Sequence, residues 1–138
     1  MLVKQLSVFV ENKPGRLSAI ISLLAEHHVN LSALSLADTS SFGVLRLIAD
    51  KPEAAIEALR EEGIVAKSTD VLTVAIDDTP GSLTHVLDLL ADEGVSIEYM
   101  YAFSGKQENK ALMVFKVDAL EEAEKLLFAN GFAAPQIG

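Results

Sequence analysis

The sequence contains no cysteine, which excludes disulfides, thiolate metal sites and cysteine nucleophiles. Basic residues are also scarce, with 11 Lys and Arg against 20 Asp and Glu, for a net charge of -9. That balance argues against a nucleic-acid backbone or an anionic membrane as partner, because both reward Lys and Arg. A long apolar run is missing as well. Leu2–Val10 alternates instead of forming a solid block, so neither a signal peptide nor a membrane span is expected. These absences point to a soluble, cytoplasmic protein. Half of the 138 residues are hydrophobic, enough for a real core in one ordinary domain or two very small ones.

One stretch occurs twice. Asn12-Lys13-Pro14-Gly15-Arg16-Leu17 returns as Asp78-Thr79-Pro80-Gly81-Ser82-Leu83, 66 residues later. The register extends well beyond the turn. Leu6, Val8 and Val10 alternate with polar Gln5 and Ser7, the pattern of a half-buried strand, and Leu72, Val74 and Ile76 follow at the same offset. Leu17, Ile20, Ile21 and Leu24 fall at i, i+3, i+4 and i+7, the stripe with which a helix covers a sheet. Leu83, Val86, Leu87 and Leu90 repeat that stripe.

Val29–Ala37 and Gly43–Ala49 read as two further strands joined by the polar turn Asp38–Ser41. Asp50-Lys51-Pro52-Glu53 opens a second helix with a capping Asp, an early Pro and an acid in the first turn. Ala55 and Leu59 face inward along it, Gly63 stops it, and Ile64–Lys67 is expected as a short fourth strand. Past the hairpin the offset becomes 68, so that Asp118, Ala123, Leu127 and Gly131 answer Asp50, Ala55, Leu59 and Gly63. The two extra residues fit the polar turn Ser104–Asn109. A self-similar chain is read as repeats first, and the expected units are residues 1–69 and 70–138.

Strand–helix–strand–strand–helix–strand, twice, is the split βαβ or ferredoxin-like pattern, an α+β fold of antiparallel sheets with helices on one face. Phe9, Leu34, Leu36, Met100, Phe115 and Tyr99–Phe103 leave several strands apolar on both faces. Such surfaces suit cover by the sister repeat or by a second chain, as in a homodimer.

Fold alone leaves function open. A metal carrier of this shape needs thiolates. An RNA-binding module needs aromatic residues in a basic field, and the acidic balance opposes that reading of Tyr99, Tyr101 and Phe103. His27-His28 suits a helix C-terminus better than a metal, since adjacent helical residues diverge by about 100° and no third ligand is evident. No catalytic triad, phosphate-cradling loop or metal pattern is present. No enzyme activity, cofactor or metal is expected.

The duplicated turn, with Asn30-Leu31 thirteen residues beyond Leu17, resembles the ACT domain, an amino-acid-sensing module of biosynthetic enzymes. The resemblance covers nearly the whole chain as two tandem copies. It implies that Asn12 and Asn30 hold an amino acid, with Pro14, Gly15, Arg16, Leu17 and Leu31 around it. Asp78, Gly81, Ser82 and Ser96 are the weaker counterparts in the second copy. It further implies a ligand held between side-by-side domains, touching the turn of one and the second strand of the other.

The chemistry agrees. A helix N-terminus offers unpaired N–H groups and positive partial charge to a carboxylate, a glycine lets the backbone approach, and an Asn amide both donates and accepts. In the second copy Asp78 loses the amide donor and repels a carboxylate, and Ser96 is shorter than Asn30. The sequence therefore suggests a regulatory protein whose first repeat holds a small amino acid and whose output passes through a partner enzyme or a change of assembly. A ligand-free structural subunit of a biosynthetic enzyme is the alternative.

Overall fold

The computed structural model describes residues 1–38, 41–105 and 107–135. Thr39 and Ser40 of the first expected hairpin turn, and Lys106 of the second, lie outside them. The order of elements is β1 (Leu2–Glu11), α1 (Arg16–Glu26), β2 (Leu31–Asp38), β3 (Phe42–Ala49), α2 (Pro52–Glu61) and β4 (Ala66–Asp77). There follow α3 (Ser82–Asp92), β5 (Ile97–Ala102), β6 (Lys110–Val117) and α4 (Leu120–Ala129). The fold is α+β, two ferredoxin-like repeats built from antiparallel strands and four helices. Two compact units divide it. One comprises Lys4–Thr69, and the other joins Met1–Val3 to the chain from Asp70 onward.

In the Lys4–Thr69 unit the strands run in the order β2-β3-β1, with Val8 opposite Leu45 and Leu36 opposite Leu45 on its other side. The Phe9 N–H donates to the Val65 carbonyl at 3.1 Å, which brings the chain after α2 alongside β1. Alternation turns Leu6, Val8 and Val10 to one face, where they meet Ile20 and Leu24 of α1 and Ala55 and Leu59 of α2. Burial of such side chains contributes roughly 1.5–3 kcal/mol each and is what fixes the register, since a slip of one residue would turn the whole set outward.

The second unit repeats this with the order β4-β6-β5. Leu72, Val74 and Ile76 meet Val86, Leu90, Ala123 and Leu127, and Phe115 is fully buried among them. Its sheet is buried on the other face too at Val71, Thr73 and Val114.

Two expectations change in detail. Of the short strand expected at Ile64–Lys67 only Ala66 and Lys67 are strand, and they run on without a break into the strand at Leu72 as β4, Ala66–Asp77. Ser68-Thr69-Asp70 between them is polar but contains no Gly or Pro to break the extended backbone. After α4, the described residues hold, in place of the expected last strand, a single bridge between Ala75 and Ala133, whose carbonyl accepts the Ala75 N–H at 2.9 Å. Alanine favours strands weakly and Pro135 supplies no N–H, so the segment has little to pair with. Beside that bridge Thr73 donates its N–H at 2.6 Å and its hydroxyl at 2.8 Å to the Met1 carbonyl, which ties the first residues of the chain into the second unit.

Candidate functional site

Lys13-Pro14-Gly15-Arg16 forms a turn closed by the Arg16 N–H on the Lys13 carbonyl at 3.3 Å. Gly15 has φ 84° and ψ -10°, the values of the third residue of a type II turn, and Pro14 fills the position that favours proline. A residue with a Cβ would be strained there, so glycine is required by the backbone itself. Thr79-Pro80-Gly81-Ser82 copies the turn, with Gly81 at φ 90° and the Ser82 N–H on the Thr79 carbonyl at 3.3 Å.

Neither helix has a side-chain cap. The Ala19 N–H reaches the Gly15 carbonyl at 3.0 Å, but the N–H groups of Leu17 and Ser18 find no acceptor among the described residues. The first turn of α1 therefore presents two free donors at the positive end of the helix, the electrostatics that suit a carboxylate. Thr79 pairs its hydroxyl with that of Ser82 at 2.8 Å.

Asn12 is exposed at the end of β1, its Oδ1 close to where a Cβ on Gly43 would project. Asn30 opens β2. Its N–H donates to Asp50 Oδ1 at 2.9 Å while the Asp50 N–H donates to the Asn30 carbonyl at 3.0 Å. Asp50 thus clasps the start of β2 and does not cap α2, whose N-cap is Lys51. The same clasp joins Ser96 to Asp118, at 2.9 and 3.2 Å. It spends the backbone of Asn30 and leaves the side chain exposed.

The strand register separates the two asparagines. Glu11 faces Phe42 at one end of β3, and Leu31 faces Ala49 at the other. Eight residues of strand span about 25 Å, so one repeat does not bring Asn12 and Asn30 to a single small molecule. Gly15, Arg16 and Leu17 stay with Asn12, and Leu31 stays with Asn30.

Two cavities occupy matching places in the units. In the first, about 250 Å³ opens between β1, the start of α1 and the chain after α2. Its walls are Phe9, Val10, Ile20, Phe42, Ile64 and Val65, with Glu11 and Arg16 as its charged residues. Of the predicted site residues, only Arg16 lines it. In the second unit about 280 Å³ is lined by Asp77, His85, Gln107, Lys110, Asn130 and Phe132, among others. Lys110 is tied to Asp77 at 2.6 Å and the His85 ring sits 5.5 Å from that of Phe132. Sequence reasoning missed the first cavity. The signal was there in Phe9 and Phe42, large apolar residues on the side of their strands away from the core stripe.

The two histidines behave as a helix end. His27 Nδ1 lies 3.0 Å from the Leu23 carbonyl, and Lys51 donates to the His28 carbonyl at 3.2 Å. Among the described residues no group of His, Asp and Glu is placed to hold a metal, and no helix is long and apolar enough to cross a membrane.

A family model described as an ACT domain pair matches residues 1–134. The chain is similar to protein BT0572 from Bacteroides thetaiotaomicron, with 38% identity and a TM-score of 0.90, over 97% of this chain and 93% of that one. It is also similar to the ligand-free regulatory subunit of aspartate kinase from Thermus thermophilus, at 15% identity and a TM-score of 0.66, over 95% and 97% of the two chains. The corresponding subunit from Thermus flavus shares 21% identity with a TM-score of 0.65, over 94% and 92%. At those two identities the likeness is one of fold. No match is found among curated proteins.

Proposed function

Because the chain belongs to the ACT domain family, as a pair of such domains over residues 1–134, we propose that it is a non-enzymatic regulatory protein that binds a small amino acid. The observation that carries this reading is the uncapped first turn of α1, with Gly15 and the free N–H groups of Leu17 and Ser18, which follows Asn12 closely in the chain. The backbone donors take the carboxylate, and Asn12 serves the ammonium through its carbonyl oxygen. Each bond to a charged ligand group contributes roughly 1.5–3 kcal/mol.

Since Asn30 lies at the far end of its own repeat, the Asn30 and Leu31 that complete the site come from a second copy of the chain. Strand β2 is the edge through which such a homodimer forms. It ends the order β2-β3-β1, and Leu34 and Leu36 on it are 45% and 52% exposed. Binding then favours one arrangement of subunits, and the output passes in the cytoplasm to a partner enzyme of amino-acid metabolism. In the second repeat Asp78 and Ser96 replace the two asparagines, so Gly81 and Ser82 there serve architecture.

A thermal-shift screen against the twenty amino acids tests the reading, because a ligand at about a hundred times its dissociation constant adds about 2.7 kcal/mol. Asn12→Ala and Asn30→Ala should each weaken binding about ten-fold. Mixing the two variants should restore some full-affinity sites if the site spans two chains. A protein that responds to no amino acid is the structural subunit instead.

A further inference from the structure

We propose that the first-repeat cavity is a second ligand site, distinct from the Asn12 and Asn30 positions, that takes a monocarboxylic acid with an aliphatic or aromatic body. Its rim gathers three of the seven large hydrophobic residues exposed among the described residues, namely Phe9 at 40%, Phe42 at 46% and Val65 at 59%. Scattered apolar residues on a surface need no explanation, but a cluster around one concavity does. The floor is apolar as well, formed by Val10, Ile20 and Ile64. At about 250 Å³ the space is below the range of roughly 300–1,000 Å³ typical of drug-sized ligands and suits a molecule as small as one amino acid.

Charge selects the head group. Arg16 lines the cavity, and its side chain makes no hydrogen bond or ion pair among the described residues, although the chain carries nearly twice as many acids as bases. A guanidinium presents a planar fork matched to a carboxylate. Lys67 holds its ammonium 5.9 Å from the Phe9 ring centre and adds a second positive group nearby. The acid in the wall, Glu11, is engaged by Lys13 at 3.2 Å. A hollow on the other flank of Arg16 carries Glu26 and Glu62 and would repel an anion. A ligand that satisfies both Arg16 and the apolar wall therefore lies on the Phe9 and Phe42 side.

The second repeat is an internal control. Phe9, Arg16, Phe42 and Val65 are replaced there by Ala75, Ser82, Lys110 and Ala133. Apolar bulk is lost, and the cation that arrives is already bound to Asp77.

Isothermal titration with 3-phenylpropanoate, alongside its neutral alcohol 3-phenylpropan-1-ol, tests the proposal on the full chain. The acid should bind more tightly than the alcohol, and Arg16→Gln should abolish that preference with a loss of about ten-fold or more. Val65→Trp, which fills the mouth from an exposed position, should block both, whereas Lys110→Ala should change neither. Asn30→Ala should also leave the acid's affinity unchanged, which separates this site from the amino-acid site. No saturable binding of the acid, equal affinity of Arg16→Gln and parent, or loss of binding in Asn30→Ala would each overturn the proposal. The amino-acid reading is tested separately, by the thermal-shift screen and the Asn12→Ala variant.

Discussion

Replacing Asp50 by alanine separates the architecture of the second strand from the proposed use of its first side chain. The substitution keeps the backbone bond from residue 50 to the Asn30 carbonyl at 3.0 Å and deletes only the carboxylate acceptor, 2.9 Å from the Asn30 N–H. A hydrogen bond to a charged group contributes roughly 1.5–3 kcal/mol when water is kept away. Here both residues are exposed and water replaces the lost acceptor, so about 1 kcal/mol is expected. Asp118→Ala removes the matching bond to the Ser96 N–H and should cost the same. The two clasps lie in different compact units, so the double variant should lose about 2 kcal/mol, additive to within about 0.5. Urea unfolding measures this, provided the slope is unchanged. The two variants should then part in function, with amino-acid affinity falling in Asp50→Ala, which loosens the backbone that carries Asn30, and holding in Asp118→Ala. A cost below about 0.3 kcal/mol for both would show the clasps to be incidental contacts. Equal affinity losses would refute the assignment of Asn30.

Gly15→Ala should destabilise by about 1–2 kcal/mol through backbone strain alone, because φ is 84° and no atom lies within 4 Å of the added Cβ. Gly81→Ala, in the same geometry, should match it by thermal or urea unfolding. Leu59→Ala and Leu127→Ala remove equivalent, fully buried side chains and should each cost about 2–5 kcal/mol, with near-ultraviolet signals of the opposite repeat retained.

The repeat, the helices and the Pro-Gly turns were legible because each rests on local pattern. Pro14-Gly15 and Pro80-Gly81 specify their turns through backbone chemistry that no tertiary contact needs to supply, and the stripe from Leu17 to Leu24 needs only a sheet to face. What escaped the sequence depends on partners far along the chain. Asp50 stands before a helix-opening Pro and looks like a cap, yet its carboxylate reaches twenty residues back to Asn30. Ser68-Thr69-Asp70 looks like a break between strands and is carried through as strand. Strand alternation assigned Phe9 and Val10 to opposite faces without saying that α1, β1 and Val65 would leave a gap where both could be reached. Periodicity reports a side chain's direction, whereas a cavity is set by how elements end.

The asymmetry of the repeats has an energetic consequence for regulation. A ligand shifts an equilibrium only by its difference in affinity for the two states, and a swing from about 1:99 to 99:1 takes about 5.5 kcal/mol. A lone amino acid held by Asn12 and a few backbone N–H groups does not readily supply that difference. Two sites completed across the proposed homodimer would double it, since each requires the same arrangement of chains. On this reading the second repeat need not bind anything. Asp78 would repel a carboxylate, and the pairing of Lys110 with Asp77 already satisfies the charge a ligand would seek, so a silent second repeat would keep the response tied to the proposed homodimer and its first-repeat turns.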